Sequence, residues 1–365
     1  MKILHTEIYR FSIPMEPFVI ATGTMDYAQN VFIRIQTDKG FYGVGECSAF
    51  PMIVGETQDT CLVLAKEFAR LWKGKNPLEI DERLQELDLF IAKNTTIKSA
   101  FDMALYDIAA KAKEMPLYKF LGGEPKPITT DITVGIADAE TMAAQALAFK
   151  NNGAAILKVK LGKKPADDIE RIKAIRQAVG FDIPIRIDAN QGWNFNDAVF
   201  VLKELESMNI EFCEQPMRGY DDKFLPELRK TTSIKIMADE SCYNHYDAIR
   251  LAEAKACDYI NIKFSKSGGI AEAKRIQDVA QKYHIPCMMG GMLESRIALS
   301  AKVHFVYASK NIQFYDMDTC MLGQLEDPVT GGVQFNKYDI SIPLLPGIGA
   351  DADETFLKKC EKWII

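Results

Sequence analysis

The chain has 365 residues, of which 48% are hydrophobic and 26% charged, and a formal net charge of −6. That length exceeds one ordinary domain, although a barrel could fill most of it, and the acidic balance gives no footing for nucleic acid as a partner. No stretch reaches the roughly 18 consecutive apolar residues of a membrane span. The N-terminus MKILHTEIYRFSIP lacks the apolar centre of a signal peptide, so a cytoplasmic location without a membrane partner is expected. The eight cysteines are scattered and form no Cys-x-x-Cys pair. A zinc site is therefore unsupported, and reduced, buried thiols are expected.

KILHTEIYRFSI and NVFIRIQT alternate apolar and polar residues, as antiparallel strands do, and DKGFYGVGEC supplies a turn and a third strand. After GETQDT the period becomes helical, in CLVLAKEFARLW and then TIKSAFDMALYDIAAKAKEM. LGGEPKP, at 121–127, punctuates the chain. Residues 1–125 thus read as an α+β domain. Eight short β-rich runs follow, from ITTDITVGI to IQFYDMD, separated by amphipathic stretches such as ADDIERIKAIRQAVG. That rhythm predicts βαβ units and a (β/α)8-type barrel over 126–320. An open doubly wound sheet is the structural rival, but the Gly-rich turn it usually carries is missing. Residues 321–365 read as a loop-rich segment whose end returns to the first domain.

The barrel strands end in charge: Lys158 and Lys160, Asp188, Glu214, Asp239, Lys263, then Asp316 and Asp318. In a parallel barrel these ends share one face, where active sites are built. Asp188, Glu214 and Asp239 stand on consecutive strands. Three carboxylates brought together in a dry site repel one another unless a cation intervenes. An all-oxygen set suits Mg2+ rather than zinc. Any one of these acids is explained as well by a helix cap or a surface ion pair; three in phase are not. Lys158 and Lys160 on the second strand face Lys263 on the sixth, half a turn around the ring. A lysine beside other cations in a dry cavity sheds its proton more readily. A carboxylate substrate on the metal, flanked by two such lysines, can lose its α-proton to one and regain a proton from the other, which inverts the carbon.

The motifs KVK (158–160), DANQGW (188–193), EQP (214–216), ADES (238–241) and NIKFSKSGG (261–269) together resemble the muconate-lactonizing subgroup of the enolase superfamily, over nearly the whole chain. The resemblance implies Asp188, Glu214 and Asp239 as ligands of Mg2+ and Lys160 and Lys263 as the acid–base pair. It gives Lys158 a part in binding the substrate carboxylate and tuning Lys160, and a homo-oligomer is expected by analogy alone. Asp316 and Asp318 in YDMDT resemble the pair with which dipeptide epimerases hold a substrate's free α-amino group, and Thr133 matches a substrate-contacting position. Two carboxylates facing one ammonium form a charge-assisted clamp, whereas the pair would burden muconate cycloisomerases and o-succinylbenzoate synthases, which have no ammonium to hold. The plainer reading is an acid pair that bonds nearby backbone N–H groups or a lysine. Those two activities and an N-acylamino acid racemase remain the alternatives, with a non-catalytic ligand-binding barrel as the remote one. The loops expected at 14–29 and 49–58 of the first domain hold no basic residue, and Phe18, Val19, Ile20, Met52, Ile53 and Val54 are apolar. The expectation is a hydrophobic dipeptide, set against the plainer reading that these side chains only pack the first domain onto the barrel.

Overall fold

The structure, a computed structural model, describes residues 1–365. Three antiparallel strands, β1 (Ile3–Ile20), β2 (Gly23–Thr37) and β3 (Tyr42–Ser48), pack against helices α1 (Gln58–Trp72), α2 (Ile80–Phe90) and α3 (Thr95–Ala112). The β1–β2 hairpin is longer than its alternation predicts. Its far end, expected as loop, stays paired through Phe18↔Met25 and Ile20↔Gly23 after a register shift beyond Pro14. Helix α2 is not anticipated in the sequence; only Arg83 and Leu87 of it are buried, so its apolar stripe is thin. Gly43 and Gly45 on β3 let α3 approach closely: a Cβ there would fall 2.1 Å from the Ala104 carbonyl oxygen and 1.9 Å from that of Ala100.

The barrel sheet has eight parallel strands, each paired with its neighbours in sequence: β4 (Ile132–Val134), β5 (Leu157–Lys160), β6 (Ile185–Asp188), β7 (Ile210–Glu214), β8 (Lys235–Ala238), β9 (Tyr259–Ile262), β10 (Cys287–Gly290) and β11 (Ile312–Asp316). All eight fall inside the stretches read as strands. The seam between first and last is closed by Asp131 N–H donating to the Tyr315 carbonyl at 3.2 Å and Met317 N–H to Thr130 Oγ1 at 2.8 Å. Seven of the eight strands are followed by an α-helix. After β11 comes only a 3-10 turn, Thr319–Met321. The chain then runs through short strands to Lys362–Ile364, which pairs antiparallel with β1. This segment stands where an eighth barrel helix would be.

The floor of the barrel is apolar, built from Phe212, Met237 and Met288 with Tyr259 and Phe314. The Arg186 guanidinium is sandwiched there, 5.3 Å from the Phe212 ring centre and 5.2 Å from that of Phe314. All eight cysteines are free. No helix is long and apolar enough to cross a membrane.

Candidate active site

Strand register sets the polar rim. Lys160 pairs with Asp188 and Asp188 with Glu214 across β5, β6 and β7, while Glu214 lies opposite Met237, so Asp239 stands two residues beyond. Asp188, Glu214 and Asp239 are fully buried. The backbone turns sharply just after them: Asn190, Gln191 and Gln215 have φ of 40°, 67° and 33°. Non-glycine residues seldom adopt that region, and such turns concentrate at functional sites. The Gln215 carboxamide holds the rim in place, accepting from Asp239 N–H and Ser241 N–H and donating to Met217 O and Ser241 Oγ.

The lysines lie among these acids. Lys158 Nζ is 2.6 Å from Asp316, 2.7 Å from Glu214 and 3.4 Å from Asp188. Lys160 reaches Asp188 at 2.6 Å, and Lys263 reaches Asp239 at 2.7 Å from the far side of the trio. Burial alone would depress Lys158 and Lys263, yet Asp316, Glu214 and Asp188 raise the first, and Asp239 and Glu214 raise the second; a cation among the trio would offset these carboxylates. Burial likewise works against ionised Asp239, but Lys263 and Lys266 hold it well below the usual carboxylate range. Burial and Asp188 push Glu214 up to about 7.

Two further side chains brace the trio. Lys266 donates to Asp239 Oδ1 at 2.7 Å, and Asn261 Nδ2 to Glu214 Oε1 at 2.7 Å. Both lie inside the NIKFSKSGG motif but carry no signal that separates them from Lys263. Glu214 Oε2 and Asp239 Oδ2 are met only by lysine ammoniums, Lys158 and Lys263, each at 2.7 Å. Three buried carboxylates with no His or Cys among them form an all-oxygen set, which fits a hard divalent cation.

Above the trio opens a small cavity. Phe18, Ile20, Phe50, Ile53, Met292, Leu293 and Leu322 form its apolar wall, while Thr133, Lys160, Asn190, Lys263, Asp316, Asp318 and Thr319 supply the polar groups. Of the six apolar residues singled out in the first domain, Phe18, Ile20 and Ile53 reach the cavity. Met52 and Val54 pack on the core instead, and Val19 lines the opposite face of the hairpin. The nearest arginines in sequence are engaged elsewhere, Arg10 with Asp59 and Glu361, and Arg34 with Asp351 and Glu354. Thr133 N–H donates to Asp318 Oδ2 at 2.7 Å, and Asp318 Oδ1 has no partner. Burial works against ionised Asp316, but Lys158 and Lys263 hold it down at about 2, while burial and Asp316 push Asp318 up to about 7.

A roomier cavity of about 310 Å³ lies between α2, α3 and the barrel helices His245–Glu253 and Ile270–Lys282. Its charges pair among themselves, Lys98 with Asp88 and Glu272 with both His245 and Arg275.

Sequence comparison agrees with this geometry. Residues 4–122 match the mandelate racemase / muconate lactonizing enzyme N-terminal domain, and residues 141–356 match the enolase C-terminal domain-like family. The chain belongs to the enolase superfamily. A D-Ala-D/L-Ala epimerase of Cytophaga hutchinsonii is 43% identical over 99% of both chains. A hydrophobic dipeptide epimerase of Enterococcus faecalis is 38% identical over 91% of this chain and 94% of its own. The crystal structure of a dipeptide epimerase from Cytophaga hutchinsonii, complexed with Mg and D-Ala-L-Val, superposes with a TM-score of 0.98 over 100% of both chains at 43% identity. Within the enolase superfamily, then, this chain is similar to enzymes named for dipeptides.

Proposed function

We propose that the protein is a Mg2+-dependent dipeptide epimerase acting on hydrophobic dipeptides and inverting the α-carbon of the C-terminal residue by 1,1-proton transfer. One observation carries the reading: a single cavity holds Lys160 and Lys263, on strands separated by the acid-bearing three, together with a buried Asp316–Asp318 pair that retains a free oxygen.

Asp188, Glu214 and Asp239 would hold the metal. When bound, Mg2+ neutralises the trio and stabilises negative charge developing on the substrate's carboxylate. Asp316 and Asp318 take the substrate's α-ammonium, and Thr133 N–H fixes Asp318 for that task. The C-terminal α-carbon then sits between Lys160 and Lys263. One amine removes its proton and the other delivers a proton to the opposite face, with roles exchanged for the other enantiomer. Lys158, joined to Asp316, Glu214 and Asp188, couples the ammonium end of the site to the carboxylate end. Phe18, Ile20, Ile53, Met292, Leu293 and Leu322 surround the peptide's side chains with apolar surface. An acidic side chain would be buried there without a counter-charge, which is costly.

The test is exchange in D2O. With Mg2+ and L-Ala-L-Val, the α-proton signal of the C-terminal residue should disappear as the D-epimer accumulates, much faster than with L-Ala-L-Glu. Absence of exchange with every dipeptide would overturn the reading; preference for Ala-Glu would overturn its hydrophobic part.

A further inference from the structure

Asp131 takes no part in the chemistry above, yet it is fully buried beside the ammonium clamp. It lies one step outside β4, on the same side of the chain as Thr133. One oxygen from each of Asp131, Asp316 and Asp318 lies within 4.8 Å of the others. Asp131 Oδ2 accepts from Arg186 Nη1 at 2.8 Å, and Asp131 Oδ1, like Asp318 Oδ1, has no partner. Three carboxylates are thus crowded together with two of their oxygens unused. Burial, and after it Asp316, outweigh Arg186 and push Asp131 up to about 8.

The same residues close the barrel. Asp131 N–H and Arg186 Nη1 both donate to the Tyr315 carbonyl, at 3.2 and 3.3 Å. Thr130 Oγ1 receives Met317 N–H, and Thr133 N–H reaches Asp318. Residues 130, 131 and 133 therefore grip 315, 317 and 318, and the seam of the barrel is also the frame of the clamp. Arg186 is itself fixed between two aromatic rings and paired with Glu211 at 2.7 Å, so Asp131 rests on a rigid cation from the floor.

We propose that Asp131 is a positioning residue for amine recognition: braced by Arg186, it keeps Asp316 and Asp318 aimed and offers a third carboxylate behind them, so that the site selects substrates bearing a free α-ammonium. A docked monocation favours the ionised form of all three acids, so ammonium binding gains from them. Arg186 and Lys158 already pair with two of the three acids. The inference rests on the dipeptide reading.

The experiment compares the wild-type enzyme with Asp131→Asn, which keeps the backbone bond to Tyr315 and one oxygen for Arg186 while removing the carboxylate. Exchange in D2O is measured with L-Ala-L-Val and with propionyl-L-valine, the same molecule without the amino group. The variant should raise KM for the dipeptide about tenfold with kcat within about twofold, and leave kcat/KM for propionyl-L-valine unchanged. The preference for the amine then falls about tenfold. Equal losses on both substrates, or an unchanged dipeptide KM, would overturn the inference. Asp131→Ser, which retains an oxygen for Arg186, replaces the first variant should that one fail to fold; if neither folds, Asp131 is purely structural and the inference falls. A wild-type enzyme inert toward dipeptides would sink the underlying reading instead, so the two failures are distinct.

Discussion

Buried carboxylates occur in two regions of this molecule and behave oppositely. Where the first domain meets the barrel, each is saturated. Glu46 on β3 accepts from Asn30 Nδ2, Ser295 N–H, Ser295 Oγ and Ala298 N–H, and so caps helix Arg296–Ala308. Asp102 on α3 takes Ile270 and Ala271 N–H at the start of helix Ile270–Lys282. Asp107 takes Val44 N–H, Ile348 N–H and Lys111. In and behind the barrel mouth, Glu240, Asp318 and Asp131 each keep an oxygen without a partner, and Glu214 and Asp239 each have one that only a lysine meets. Helix N-termini favour negative charge and supply free N–H groups, so acids of the first kind hold two domains together. Acids of the second kind bear an unmet desolvation cost, which a protein tolerates where a ligand will meet it. The two groups have the same side chains and similar burial; what separates them is whether the chain itself completes their hydrogen bonds.

The sharpest way to break that contrast is to remove a proton carrier. Lys160→Ala and Lys263→Ala should each cut epimerisation by about three orders of magnitude or more, while each variant keeps residual α-proton exchange with one C-terminal enantiomer only. Loss of exchange with both enantiomers in both variants would count against opposed faces. Next in size is the metal. Chelation should abolish turnover and Mg2+ should restore it, with Asp239→Asn requiring far more Mg2+ for half-maximal rate. Asp318→Asn should then raise the dipeptide KM by roughly 10- to 100-fold, as expected for loss of a charge-assisted partner.

Changes at the domain joint should read out in stability rather than chemistry. Glu46→Gln turns accepting oxygens into a donating amide against Ser295 and Ala298. It should cost about 3 kcal/mol in a thermal or denaturant melt and leave the kcat of the folded enzyme near wild type. A smaller effect follows from His304, whose Nδ1 accepts from Tyr118 N–H and whose Nε2 meets the Ile348 carbonyl. Burial depresses its pKa from 6.5 to about 4. The unfolded chain then binds the proton first, so stability should fall as pH drops from about 6.5 to about 4 and level off below. His304→Gln should flatten that part of the stability–pH curve.

Much of this architecture was legible in the sequence because its signals are local. Alternation marked β1 to β3, and the regular return of a charged strand end located Asp188, Glu214, Asp239 and Lys263 before any coordinates. Pairwise satisfaction was not legible. Glu46 meets Ser295 across 249 positions of chain and Asn30 the Leu293 carbonyl across 263, and no short-range pattern reports that. Asp131 lies inside the run ITTDITVGI, where a single acid carries no signal of its own; only the closed seam puts it beside Asp316. Pro14 and Pro17 interrupt the alternation of the long hairpin, whereas the structure absorbs them in a shift of register. For the lysines, sequence shows which charges are neighbours but not which contacts dominate.

The far end of that hairpin touches the cavity through Phe18 and Ile20 and contributes none of the lysines, acids or backbone amides that line it. In the proposed reaction, the hairpin's contacts to the substrate side chain would thus lie on a different stretch of chain from the groups that move protons. Grafting a relative's residues 14–29 onto this scaffold is a natural route to a new peptide preference with the old chemistry left in place.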